Sequence, residues 1–251
     1  MPKQIGIIKL KGKIEDLSFY KSEDGFMARL KGGVSRERVL NDPAFIRTRE
    51  NGQEFGHAGK TGKLIRTALR NLIAKIKDRR LTSRFTKAMI DVLQTDSHAT
   101  RGSRTVAHGN LSLLDGFEFN QNAPLSAGVF FPFDITVDRV SGAVVFDVQG
   151  FTPEESLQVP SGATHFKIMV GCSAIDLENR SFSSVKQESD WLVADGVALA
   201  AMSLQADMEA DSSLPFFLAL GVAYGQEVNG EIYSLQNGAY NALQLVRVDI
   251  V

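Results

Sequence analysis

The chain has 251 residues, with 28 Lys and Arg against 29 Asp and Glu, 43% hydrophobic residues, 16 Phe and a single Cys. That composition excludes a wholly disordered or low-complexity chain and suits one large domain or two smaller ones. One thiol can neither close an internal disulfide nor build a thiolate cage, so no metal centre or cofactor is expected.

At the start, the apolar stretch Ile5-Gly6-Ile7-Ile8 is short and interrupted by Lys9 and Lys11, unlike a secretory leader. No run reaches the roughly 18 apolar residues needed to span a bilayer. A cytoplasmic protein without a membrane partner is expected. Charge is strongly segregated: residues 1–105 hold 23 basic and 11 acidic side chains, residues 106–251 hold 5 and 18, giving balances of +12 and −13. Opposite halves of similar magnitude can pair within a chain, pair between chains, or leave the basic half for a polyanion.

Residues 4–31 read as strands closing in a hairpin. Ile8 and Leu10 alternate with lysines, Leu17 and Phe19 with Ser18 and Tyr20, and Phe26, Ala28 and Leu30 with Met27, Arg29 and Lys31. Ser22-Glu23-Asp24-Gly25 supplies the turn. A hairpin of this size cannot bury its own apolar face, so an arm over residues 1–33 must lean on other surfaces. Leu17, Phe19, Tyr20, Phe26 and Leu30 are its expected contact residues.

Residues 34–105 form a basic, Gly-rich and helical region. Asp42-Pro43 reads as a helix start, but Gly52, Gly56, Gly59 and Gly62 make the next stretch poor helix material that would let another backbone come close. From Lys63 the spacing predicts a helix with Ile65, Ala68, Leu69, Leu72, Ile73 and Ile76 on one face and Lys63, Arg66, Arg70 and Lys77 on another. A second helix, capped by Thr82, presents Phe85, Met89, Val92 and Leu93.

Beyond residue 105 the period changes from 3.6 to 2. Alternation around Phe131–Val137, Phe166–Ala174, Phe216–Tyr224 and Val246–Ile250, with intervening Gly turns, predicts an acidic antiparallel β-sandwich over residues 106–251. The whole is an α+β chain: hairpin arm, basic helical hairpin, sandwich.

Motifs for chemistry fail on inspection. Gly59-Lys60-Thr61 resembles the end of a phosphate loop, but Glu54 stands where its first glycine belongs. Ser183-Ser184-Val185-Lys186 and Lys60-Thr61-Gly62 occur in the wrong order for penicillin-recognising enzymes. Asp207, Glu209 and Asp211 begin a calcium-loop spacing that Ser212 and Leu218 break. His57, His98, His108 and His165 show no metal or dyad spacing, and Cys172 shares strand parity with Phe166, Ile168 and Val170, as a core residue would. Trp191 and Tyr20 could serve as interface anchors or simply as packing. No catalytic residue is expected, and the chain reads as non-enzymatic.

The run Ile8-Lys9-Leu10-Lys11-Gly12-Lys13-Ile14-Glu15-Asp16-Leu17-Ser18-Phe19-Tyr20-Lys21, with Asp24-Gly25, Lys31-Gly32-Gly33-Val34 and Asn41-Asp42-Pro43-Ala44-Phe45-Ile46-Arg47-Thr48-Arg49-Glu50-Asn51, resembles the opening of a group of uncharacterised Bacteroidota proteins. The likeness covers mainly residues 5–70, with a weaker echo around Gly162–Phe166, and implies no activity, cofactor or catalytic residue.

Three functions are weighed, the least favoured being an enzyme whose site is assembled from residues too dispersed to see in the sequence. The first is a structural protein that assembles with copies of itself into a ring, tube or filament, through the arm and Arg66, Arg70 and Lys77. The alternative is nucleic-acid binding, with Lys60, Lys63, Arg66, Arg70, Lys77, Arg79, Arg80 and Arg84 on phosphates, although those helices offer only Phe85 for stacking.

Overall fold

The computed structural model describes residues 2–30 and 32–250 and divides into two compact units, residues 1–50 and 51–251. Lys31, placed in the expected hairpin strand, lies outside the described residues, as do Met1 and Val251.

In the first unit β1 (Gly12–Ile14), β2 (Leu17–Ser22) and β3 (Gly25–Leu30) form an antiparallel sheet. The β2–β3 turn is closed by Gly25 at φ +109°, a conformation glycine adopts without steric cost. No strand forms at Ile8–Leu10. Instead Pro2–Gln4 runs along β3, with Gln4 N–H donating to Phe26 O (2.8 Å) and Ala28 N–H to Pro2 O (3.0 Å). The Gln4 side chain then accepts from Leu10 N–H at 2.8 Å, which folds residues 5–10 into a loop. Next comes α1 (Arg36–Asn41), capped by Ser35, and a 3₁₀ turn at Pro43–Phe45 where Asp42 Oδ1 accepts from Ala44 N–H (2.9 Å).

The glycine-rich stretch is helical after all: α2 runs unbroken from Ile46 to Ala68. Tertiary contacts override the weak intrinsic propensity. Glu54, Ala58, Thr61, Gly62 and Ile65 are buried along one side, and a Cβ on Gly62 would stand 3.1 Å from Met89 Cγ and 3.4 Å from the Phe85 ring. Of the four glycines only Gly62 meets a close neighbour, and that neighbour is side chain rather than backbone. The helix breaks at Leu69 before α3 (Arg70–Ile73), and α4 spans Leu81–Gln94. Thr82 is not the cap: Arg80 holds that position, and Thr82 Oγ1 accepts from Arg66 Nη1 (2.9 Å) instead.

The sheets follow as β4 (Phe117–Glu118), α5 (Leu125–Gly128), β5 (Phe133–Asp138), β6 (Ala143–Val148), α6 (Pro153–Ser156), β7 (His165–Asp176), β8 (Ser181–Glu188), β9 (Leu192–Val193), β10 (Met202–Asp207), β11 (Phe216–Val228), β12 (Glu231–Ser234) and β13 (Ala242–Asp249). All pairings are antiparallel. The large sheet runs β4-β13-β11-β7-β8, with β12 on β11 and β9 on β7, and a smaller one runs β10-β6-β5. The strand expected from Phe131 begins at Phe133.

Two hydrophobic clusters explain why β7 and β11 are buried on both faces. One joins Ile65, Leu72, Phe85, Met89 and Leu93 of the helices to Met169, Phe217, Ala219 and Leu243 of the large sheet. The other joins Phe166, Ile168, Val170, Phe216, Leu218 and Leu220 on its opposite face to Val144, Phe146 and Val148 of the small sheet. The second unit is therefore three layers: helices, large sheet, small sheet. The helices are not a region apart from the sandwich, because the large sheet would expose one apolar face without them.

Candidate functional site

In the arm, the register places Leu17 opposite both Ile14 and Leu30, and Phe19 opposite Gly12 and Ala28, with Phe26 beside Lys21. Directly opposed residues share a face, so Ile14, Leu17, Phe19, Phe26, Ala28 and Leu30 line one side and Lys13, Ser18, Tyr20, Met27 and Arg29 the other. The apolar side is left largely in water: Leu30 is 70% exposed, Ile14 55% and Leu17 40%, while Phe19 and Phe26 are half-buried. Met27, on the opposite side, is the residue that is buried. Lys21 lies 5.7 Å from the centre of the Phe26 ring and Arg29 5.7 Å from that of Tyr20, so both rings carry a cation at their edge of the sheet.

The basic residues of the helices divide into two groups. Lys60, Lys63, Arg70, Lys77, Arg79 and Arg80 are exposed. Arg66 and Arg84 are half-buried and hydrogen-bonded within the molecule. Arg66 donates to Gly62 O at 3.2 Å and to Thr82, and burial lowers its pKa. Arg84 donates to Asp78 Oδ2 (2.6 Å) and Phe119 O (3.3 Å), and its guanidinium lies 5.2 Å from the Phe117 ring centre. Burial opposes ionisation of Asp78, but bonds from Arg84, Gln121 N–H and Arg80 N–H prevail and hold its carboxyl below the usual range. An arginine engaged in this way is less available to a phosphate than the six exposed cations.

Glu188 was not legible as important in the sequence, yet three ammonium groups converge on it: Lys75 Nζ at 2.6 Å, Lys186 at 3.2 Å and Lys167 at 3.4 Å. Lys167 also sits 4.6 Å from the Trp191 ring centre. The Lys75 contact links a helix-layer residue to the large sheet, so part of the opposite charge pairs within the chain. Burial raises the Glu188 pKa, but the hydrogen bonds from Lys75 and Lys186 outweigh it and bring it down to about 2. A carboxyl whose pKa is lowered on folding stabilises the fold fully above its ordinary pKa of 4.5, and loses that contribution as pH falls toward about 2. Glu188→Gln should cost about 1–2 kcal/mol near neutral pH, since water still reaches the cluster. Urea unfolding from pH 2 to 7 should show a flatter acid limb in the variant; parallel curves for the two proteins would assign the acid sensitivity elsewhere.

The residues of enzymatic interest do not converge. Cys172 is buried on β7, and burial pushes its thiol up to about 12. His57 Nε2 accepts from Val106 N–H (3.2 Å), and burial, with Arg180 and Lys60 nearby, lowers its pKa, so the ring fastens a loop as a neutral group. The cleft of about 320 Å³ beside α5 is lined by Asn122, Pro124, Gln158, Pro160, Tyr224 and Tyr240 among others and has no charged side chain on its wall. Among the described residues, no three His, Cys, Asp or Glu side chains are grouped to hold a metal ion, and no helix is long and apolar enough to cross a membrane.

A second surface was hidden in the sequence because its residues come from three separate strands. The small sheet aligns Asp134 with Asp147 and Ser203, Thr136 with Val145 and Gln205, and Asp138 with Ala143 and Asp207. All nine lie on the side away from the buried Val144, Phe146 and Val148. Only Asp134 and Asp138 could be paired from local alternation.

No protein-family model matches this chain, and no curated protein or solved structure matches it.

Proposed function

We propose that this protein is a non-enzymatic structural protein that assembles with copies of itself in the cytoplasm, forming a ring, tube or filament. The observation that carries the reading is the arm's apolar face: a row of Ile14, Leu17 and Leu30, each at least 40% exposed, backed by Phe19 and Phe26. Ile5, Ile7 and Ile8 add further apolar surface at 81% exposure or more. Contiguous apolar surface of this kind is unfavourable in water and marks an interaction site. The resemblance of the opening to Bacteroidota proteins adds no activity to this reading.

Nucleic-acid binding is the second reading, favoured by the exposed cations Lys60, Lys63, Arg70 and Lys77. It is weakened by the internal engagement of Arg66 and Arg84 and by an acidic second half that repels phosphates. Salt separates the two. Six phosphate contacts lose roughly a thousandfold in affinity between 50 and 200 mM salt, whereas apolar burial is not screened. Nuclease-treated protein should stay oligomeric at about 0.5 M salt, where charge interactions are screened within a few ångströms. It should bind random duplex DNA more weakly than roughly 1 µM at physiological salt, as a nonspecific basic surface does. A monomer that binds DNA below 1 µM, with binding lost in Lys63→Gln/Arg70→Gln/Lys77→Gln, would reverse the order.

A further inference from the structure

The layering of the second unit places its two charged surfaces on opposite sides. Helices α2 to α4 cover one face of the large sheet and the small sheet covers the other. Along residues 51–95 the exposed charged side chains are Lys60, Lys63, Arg70, Lys77, Arg79, Arg80 and Lys87 against Asp91 alone. Lys60 and Lys63 lie three residues apart on one side of α2, and Arg70 follows in α3 just beyond the break at Leu69, so the three exposed cations succeed one another along the helix layer. The outer face of the small sheet carries Asp134, Asp138, Asp147 and Asp207, and its three strands contain no Lys or Arg. Arg139, directly after β5, turns away from this face to donate to Asp249, Ser212 O and Leu214 O.

Asp134 and Asp147 stand directly opposite each other on neighbouring strands, an arrangement that destabilises an isolated sheet. Ser203 donates to Asp147, but no cation of the same molecule pairs with any of the four aspartates at hydrogen-bond distance among the described residues. The complementary charge is on the far side of the same unit. The helix-layer charge cannot turn round to this face within its own unit, but it can meet this face on a second molecule.

We propose that the acidic outer face of the small sheet docks on the basic helix layer of a second copy, so that the second units stack head to tail. This rests on the self-assembly reading and gives it a direction. Because the two surfaces differ, the contact is heterologous: it leads to a closed ring or an open filament, not a two-fold dimer. The sheet face measures only about 15 by 20 Å from its strand number and length. A stable interface takes roughly 800 Å² per partner. Charge therefore sets register and polarity here, while the arm contributes the remaining apolar contact.

The test is charge reversal in the full chain, followed by light scattering and electron microscopy at about 0.1 M salt, with the parent alongside. Asp134→Lys/Asp207→Lys reverses the sheet face and Lys63→Glu/Arg70→Glu the helix layer; all four side chains are exposed. Each double variant should raise the concentration of half-assembly at least about tenfold. The chain carrying all four changes, in which the two surfaces exchange sign, should recover assembly, and an equimolar mixture of the two double variants should form particles that neither forms alone. Thermal unfolding of each variant confirms the fold. If the parent assembles and both double variants assemble equally well, or the fourfold variant stays dispersed, the head-to-tail contact is wrong while self-assembly stands. A two-fold dimer as the end product also overturns it. A parent that is monomeric at every concentration overturns the assembly reading itself.

Discussion

Deleting residues 1–33 should leave a folded protein that no longer forms the full-size particle. No residue of either hydrophobic cluster precedes Ala58, so the deletion removes none of the core that holds the second unit together. Its thermal midpoint should stay within about 3 °C of the parent, the equivalent of roughly 1 kcal/mol for a domain this large. What disappears is the apolar face of Ile14, Leu17, Phe19, Phe26 and Leu30. Light scattering should therefore report a smaller mass at equal concentration. A truncated chain with the same mass distribution as the parent would remove the arm from the assembly mechanism.

Asp78→Ala should lower stability by about 3–5 kcal/mol. The Asp78 side chain is 4% exposed and accepts from Arg84 Nη2 and Arg80 N–H, both at 2.6 Å, and from Gln121 N–H at 3.1 Å. It ties the α3–α4 connection to the segment after β4. Without it the half-buried Arg84 guanidinium keeps one bond, to Phe119 O, and its Nε is already without a partner. Asp78→Asn keeps one acceptor oxygen and should lose less. Urea unfolding of both variants checks this; a loss below about 1 kcal/mol for Asp78→Ala would mean that Arg84 reaches water when its partner is gone.

The α+β organisation was legible because strand and helix periods differ and because the hairpin, the helices and the strands each keep one period over many residues. Leu17, Phe19, Phe26 and Leu30 do share one face, as their alternation implies. Burial was harder to read. Alternation along β7 and β11 suggests one wet side, yet Met169, Ser173, Phe217 and Ala219 are as buried as their neighbours, because a helix layer covers that side. The helix over residues 46–62 was missed since its support comes from Phe85 and Met89, far along the chain. The Glu188 cluster and the row of aspartates depend on pairings across tens of residues, which local spacing does not encode.

The two central strands also partition the second unit. Side chains of β7 and β11 alternate between a cluster shared with the helices and a cluster shared with the small sheet, and no residue belongs to both. Each outer layer thus rests on its own half of the interior. The outward faces of those layers can change in charge or size with little effect on the other side, since β7 and β11 between them are buried along most of their length. This separation lets each surface vary independently while one backbone remains common to both.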